Sequence, residues 1–409
     1  MTAKKKLIYL DNSATTPVNK EVLKKVLPYF DQKYGNASSI HNLGQEAAQA
    51  VQKAKKKIAK TLRCKDEEVI FTSGATESNN LAIKGLFLKL AGLNKYKNKK
   101  LHFISSTIEH HCVLDTLKAL QQNFADKIEI SYIDVDSKGL IKIDELKKAV
   151  KQNTVLVSVM FVNNEIGTVQ PIEEIGAYLN KIKKKRNPKV DLPLYFHSDA
   201  VQAINYFDCN FPKNKLDLLS LSGHKIYAPK GVGALIIKKG TLIEAIIDGG
   251  GQERNLRSGT YNVSGIVGIG EAVSLAGKGK KERVAKTIKL RDYLLKKISR
   301  EIPKIKINGD LKKRSPNNLN ISFKGIEGES IVLLLSNYNI CVSTGSACSS
   351  NSLDPSHVQL AIGNDHLTAH GSIRFSLGEN ITKKDLDYTV EKLKLVVEKL
   401  RKTSKGINF

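Results

Sequence analysis

DLLSLSGHK, residues 217–225, is the stretch whose reading decides the fold. A β-rich run ends in Ser222, Gly223, His224 and Lys225, and residues 230–237 (KGVGALII) open another strand-like run. A lysine just past a strand end points into the crevice where open α/β sheets bind ligands. Taken singly, a lysine in a turn is more often merely solvated. Working outward, residues 68–72 (EVIFT), 101–105, 128–135, 154–162 and 194–197 read as further strands. Helical stripes lie between many of them, as at Val51, Ala54, Ile58 and Leu62. Strands alternating with helices predict βαβ crossovers and an α/β fold with a mostly parallel sheet.

The last third reads differently. Val284, Ile288, Leu295, Ile298 and Ile302 form a long amphipathic stripe stopped by Pro303. Thr382 and Asp385 have capping-box spacing, and Leu386, Leu393, Val397 and Leu400 continue as a second amphipathic helix. Strand-like residues 318–323 and 373–376 lie between, so a smaller α+β domain is expected. The division expected is a large domain over 14–262 and a small one over 1–13 with 263–409.

With 409 residues, the chain suits about two domains. Hydrophobic residues at 41% and charged residues at 26% exclude a disordered class. No apolar run reaches the roughly 18 residues of a membrane span. Residues 1–7 carry three lysines with no apolar segment behind them. The expectation is therefore a cytoplasmic protein with no membrane partner. The net charge of +26 is spread along the chain as lysine, densest in KIKKKRNPK, residues 181–189. Solvated helix ends explain it, with a docking surface for an acidic protein as the alternative; no nucleic-acid partner is expected.

Five further segments carry candidate chemistry. Asp199 ends YFHSD, residues 195–199, one strand end away from Lys225. Pyridoxal-phosphate enzymes require a lysine that binds the cofactor aldehyde and a partner for the pyridine nitrogen. The aspartate alone could equally be a helix cap; the pair is more telling. TSGATE, residues 72–77, follows a strand and opens a helix, a turn able to hold phosphate on free N–H groups, or simply a cap. His110 and His111 follow another strand; either could stack on a ring, act as an acid or base, or only pack. Arg374, in SIRFS, could clamp a carboxylate or form a salt bridge. In VSTGSACSS, residues 342–350, Ser and Thr surround Cys348, a polar setting that favours a reactive thiol. Cys64, Cys112, Cys209 and Cys341 sit in denser contexts and are read as structural. No zinc spacing is present, and no metal is expected.

The segments YLDNSATTP, FTSGATESNNLAIKG, EHHCVLDT, VNNEIGTVQPI, HSDAVQ, SGHKIYAPKGVGAL, GGGQERNLRSGT, STGSACSS and HGSIRFSLG together resemble the cysteine desulfurases of the NifS/IscS type, within the class-V aminotransferases. The resemblance implies the pyridoxal-phosphate transferase fold type I, with a seven-stranded-type sheet. It implies removal of sulfur from L-cysteine, giving L-alanine and a persulfide on Cys348. The sulfur would pass to an acceptor such as an iron–sulfur scaffold or a tRNA-thiolation relay. Lys225 would bind the cofactor, Asp199 its ring nitrogen and Gln202 its ring hydroxyl. His110, rather than His111, would stack on the ring and share in catalysis. Ala75, Thr76, Ser222 and His224 would form the phosphate cup. Thr260 would reach the phosphate of a second subunit, implying a homodimer. Asn164 would touch cofactor and substrate, and Arg374 would take the substrate carboxylate. Two departures stand out: GNASSIHNLG lacks the usual proline after Gly35 and Asn36, and Asn255 replaces a usual glycine. The chain ends at GINF without the longer tail of housekeeping members, which leaves the acceptor partner open. Rival readings are another reaction of the same cofactor (an aminotransferase, or a lyase preferring selenocysteine) and a basic binding protein that has lost catalysis.

Overall fold

The computed structural model describes residues 6–345 and 354–404. Strands are β1 (Ile8–Tyr9), β2 (Val69–Thr72), β3 (Leu101–Ser106), β4 (Ile128–Ile133), β5 (Thr154–Ser158), β6 (Tyr195–Asp199), β7 (Leu218–Ser222), β8 (Gly233–Ile237), β9 (Ile305–Asn308), β10 (Asn318–Phe323), β11 (Ile340–Cys341) and β12 (Ser372–Ser376). Seven of them form one sheet in the order β2-β8-β7-β6-β5-β3-β4. β8 runs antiparallel to both neighbours, and the remaining pairs are parallel. The fold is thus the α/β architecture expected, with a mostly parallel seven-stranded sheet.

The sheet is buried on both faces, as parallel sheets must be. Val69, Phe71, Ile104, Val157, Leu219 and Leu221 enter one apolar core, and Ile70, Phe103, Leu156 and Leu218 enter the other. The first core is closed by the helix Asn42–Leu62, whose Ala47, Ala54 and Ile58 are buried. The helix Val263–Gly277 packs on that helix and adds Ile266, Ile269 and Val273 to the same core. Gly270 makes this approach possible: a Cβ there would lie 2.7 Å from the Ala54 Cβ.

A second sheet, β12-β10-β9, is antiparallel throughout. It packs with the helices Lys280–Glu301, Gly328–Ser336 and Lys383–Ser404 around Leu319, Ile321, Phe323, Ile373 and Phe375. Ile8 and Leu10 join this core, because β1 pairs in parallel with β11 and Asp11 bridges to Ser376. The helix Lys383–Ser404 begins with the capping box read from the sequence: Thr382 N–H donates to Asp385 Oδ2 at 2.9 Å, and Asp385 N–H donates to Thr382 Oγ1 at 3.3 Å.

The structure differs from the reading at several elements. The run 154–162 leaves the sheet after Ser158, and residues 159–165 turn across its edge. β1 and β11 are two residues long, too short for a periodic signal. Residues 263–277 are apolar on most sides and hold three interior glycines, which hid the helical stripe.

Candidate active site

Asp199 ends β6, and His110 and Lys225 follow β3 and β7; the C-terminal ends of these strands share one edge of the sheet. Ala75 and Thr76 open the helix after β2 on the same edge. A cleft of about 760 Å³ lies above that edge. Ala75, Thr76, His110, Asn164, Asp199, Gln202, Ser222, His224, Lys225 and Arg374 all line it. Thr260 is exposed and does not line the cleft of its own chain. Cys348 falls outside the described residues.

Lys225 sits in the single 3-10 turn Gly223–Lys225 directly after β7. Its Nζ donates to the Ser13 carbonyl at 2.5 Å and the Ala14 carbonyl at 2.7 Å. Gln202 Nε2 donates to the same Ser13 carbonyl at 3.1 Å. Asp199 is 7% exposed. Its Oδ1 accepts Val201 N–H at 2.9 Å, and its Oδ2 accepts Asn79 Nδ2–H at 2.7 Å. Two donors thus fix the direction of this buried carboxylate.

The helix Ala75–Asn80 has Gly74 as its N-cap and no side-chain cap. First-turn N–H groups lack intrahelical partners, and a Cβ at Gly74 would meet nothing within 4 Å. The result is an open cradle at the positive end of a helix. His224 lies beside it, its imidazole pulled down to about 4 by burial and by the Lys225 and Lys230 charges.

His110 caps the helix His111–Asn123 through Nδ1, which accepts Cys112 N–H at 3.1 Å. Burial holds this imidazole below its ordinary range, with Asp199 opposing and Lys225 reinforcing the effect. Beneath it, Glu109 is fully buried, and burial carries its carboxyl up to about 8. Arg374 is 3% exposed; its Nη2 donates to Asp11 Oδ1 at 2.8 Å and its Nη1 to the Asn164 carbonyl at 3.2 Å. Its Nε is buried without a partner, a donor still available to a bound carboxylate. Among the described residues, no group of three or more His, Cys, Asp and Glu is placed to hold a metal.

The sequence reading missed Asn79, Glu109, Glu165 and His357, all in or against this cleft. Cys112, read as structural, lines the cleft beside His110, because it falls in the first turn of a helix that starts at the sheet edge.

Residues 8–389 match the family described as aminotransferase class-V. The chain belongs to the class-V aminotransferase family. Among curated class-V relatives, the chain is 47% identical to a protein named cysteine desulfurase IscS from Dictyoglomus turgidum over 98% of this chain and 97% of that one. It is also 47% identical to one so named from Methanosarcina thermophila, over 99% and 95%. Among solved structures, a NifS-like protein superimposes with a TM-score of 0.86 at 38% identity, covering 97% of this chain and all of that one. SspA in complex with cysteine gives 0.76 at 35% identity, over 90% and 98%.

Class-V aminotransferases are pyridoxal-phosphate enzymes. The residues present fit that cofactor. A braced buried carboxylate suits a protonated pyridine nitrogen, the uncapped helix end suits a phosphate, and an amine lies in the same cleft. Its volume is in the range of small-molecule sites.

Proposed function

We propose that this chain is a cysteine desulfurase, which removes sulfur from L-cysteine, releases L-alanine and carries the sulfur as a persulfide on Cys348. The observation that supports it most is the convergence of Lys225, the braced Asp199, His110, Arg374 and an uncapped helix end in one cleft. Relatives named cysteine desulfurase match along nearly the whole chain.

Lys225 would hold the cofactor covalently, Asp199 its ring nitrogen, Gln202 its ring hydroxyl, and His110 and Asn164 the ring itself. Ala75, Thr76, Ser222 and His224 would hold the phosphate. Bound there, pyridoxal phosphate supplies an electron sink for charge that builds on the Cα of an attached amino acid. Arg374 orients the substrate by its carboxylate in a two-pronged grip. Lys225 Nζ would move the Cα proton, and His110 would be a second proton-handling group. The Cys348 thiolate attacks the substrate sulfur; the S–S bond forms as the Cβ–S bond breaks. The electron pair stays on Cβ, which takes up a proton as alanine forms.

The persulfide then passes to an acceptor protein, for iron–sulfur assembly or tRNA thiolation. A homodimer would bring Thr260 of one copy to the phosphate of the other; its exposure is in accord with that. A cytoplasmic setting is part of the same proposal. Among the described residues no helix is long and apolar enough to cross a membrane. The domain division at 14–262 against 1–13 with 263–409 draws support from Ile8 and Leu10 in the second core. Packing of Val263–Gly277 on Asn42–Leu62 favours a seam after Gly277.

The test is an absorbance spectrum of the purified protein, then addition of L-cysteine. A yellow protein that forms equimolar alanine and protein-bound sulfur is expected. Cys348→Ala should keep the colour and lose the bound sulfur. A colourless protein that cannot be reconstituted, or a Cys348→Ala variant with native sulfur transfer, would defeat the proposal.

A further inference from the structure

Asn79 and Cys112 have no part in the chemistry assigned above, yet they join Asp199 to His110. Asn79 is fully buried on the helix Ala75–Asn80. Its amide nitrogen has two hydrogens and two partners, Asp199 Oδ2 at 2.7 Å and Cys112 Sγ at 3.0 Å. Turning the amide over would set Oδ1 against the carboxylate, acceptor on acceptor. Asn79 Oδ1 is left buried with no partner. The side chain is therefore oriented by its donors, at the expense of its acceptor.

Cys112 Sγ lies 3.0 Å from His110 Nδ1, and the Cys112 backbone N–H donates to the same Nδ1 at 3.1 Å. A backbone N–H can only donate. Nδ1 therefore carries a lone pair, and the proton of the neutral ring is on Nε2. Burial pushes the Cys112 thiol up to about 12, so it remains S–H and donates to Nδ1 as well. Each link has one direction: Asn79 donates to Asp199 and to sulfur, and sulfur donates to the imidazole.

We propose that Asn79 and Cys112 are positioning residues: one hydrogen-bonded chain orients the Asp199 carboxylate and confines the His110 proton to Nε2. His110 then offers a bound molecule a hydrogen-bond donor, and in the resting site it is neither a free base nor an imidazolium acid. Protonating Nδ1 would break both bonds that it accepts. Asp199 faces the ring and favours the imidazolium, whereas Lys225, His111 and His357 oppose it. Burial is the largest influence and acts with the latter three. The proton's location stands on geometry alone; only its use in catalysis rests on the desulfurase reading.

The test is nitrogen-15 histidine NMR of the full chain before cofactor is added, with the His110 signals identified by their loss in His110→Gln. At neutral pH, Nδ1 should be of the unprotonated type and Nε2 of the protonated type. Cys112→Ala should raise the His110 midpoint by about one pH unit, a gain of about tenfold in proton affinity. Cys112→Ser, which keeps a donor, should restore the native midpoint. Asn79→Ala should weaken pyridoxal-phosphate binding by about tenfold or more, read from the cofactor absorbance. A native Nδ1 that carries the proton, Ala and Ser variants that titrate together, or native cofactor affinity in Asn79→Ala would each overturn the proposal. If Asn79→Ala does not fold, the cysteine pair decides. Failure to form alanine with the Nε2–H tautomer intact would count against the desulfurase reading instead.

Discussion

Glu109→Gln should change how stability depends on pH, and the structure sets the size of the change. Glu109 is fully buried; its Oε1 accepts Ser106 Oγ–H at 2.7 Å and Met160 N–H at 2.8 Å, while Oε2 is buried without a partner. Burial, with a smaller push from Asp199, carries the carboxyl from 4.5 to about 8. Between these values the folded protein keeps a proton that the unfolded chain releases. Stability is therefore full below about pH 4.5 and is lost as pH rises through 8. At 1.36 kcal/mol per pH unit the loss reaches about 5 kcal/mol. Glutamine cannot titrate and keeps the acceptor for Ser106 and Met160. It puts an NH₂ group where Oε2 has no partner, which costs about 1–3 kcal/mol at every pH. The two stability curves should cross between about pH 5 and 7, with the variant more stable by about 2–4 kcal/mol at pH 8 and above. Urea midpoints followed by far-UV circular dichroism from pH 5 to 9 would measure this. Parallel curves, with the variant weaker throughout, would mean that the carboxyl beneath His110 is ionised in the fold and that the reasoning is wrong.

Three other outcomes are expected. Arg374→Lys removes the fork that Asp11 and Asn164 hold in place, so KM for L-cysteine should rise about tenfold or more with a smaller change in kcat; an unchanged KM would exclude Arg374 from substrate binding. Glu253, Arg254 and Asn255 are consecutive left-handed residues with φ of 47°, 59° and 61°. Asn255→Gly should relieve that strain by about 0.5 kcal/mol in urea denaturation, and a loss of stability would show that the asparagine side chain compensates. His197, fully buried between Ser158 Oγ and Ser220 Oγ, is pulled down to about 3 by burial. Below about pH 6.5 the unfolded chain binds a proton the fold refuses, so stability falls as pH drops, by about 1.4 kcal/mol per pH unit for this group. His197→Gln should flatten the acid limb by that slope, and an unaltered limb would contradict it.

Several strands of the large sheet were legible because they are compact apolar runs bounded by turn residues, as in Val69–Thr72 and Leu218–Ser222. Burial on both faces suppresses alternation and leaves a length signal that no helix there imitates. Lys225, Asp199 and His110 were legible for a related reason: Asp199 ends such a run, and Lys225 and His110 lie within a few residues of the end of one. The left-handed φ of Asn255 also explains why a glycine is usual there, a backbone requirement visible only as a departure from a pattern. Asn79 and Glu109 were not legible, since their roles depend on which neighbours the fold brings to them. Cys112 shows the limit most clearly. A thiol in the first turn of a helix looks like packing in sequence, and only the position of the His110 ring gives it work.

The distribution of site residues along the chain follows from the sheet itself. In a parallel sheet every C-terminal strand end falls on one edge, so each βα turn can contribute a side chain to the same crevice. β2, β3, β5, β6 and β7 do this with Thr76, His110, Asn164, Asp199 and Lys225. β8 runs the other way, so it is the residues before it, Lys230 and Gly231, that reach the edge. A crevice built only from those turns would remain open on one side. Remote segments close it, among them residues 354–357, Ser13 and Ala14, whose carbonyls hold Lys225, and Arg374 on β12. The last two belong together, because Asp11 bridges to Ser376 and its carboxylate pairs with Arg374. The N-terminal segment thus holds Lys225 and Arg374 against each other, so a shift of the smaller sheet would move both sides of the cleft at once.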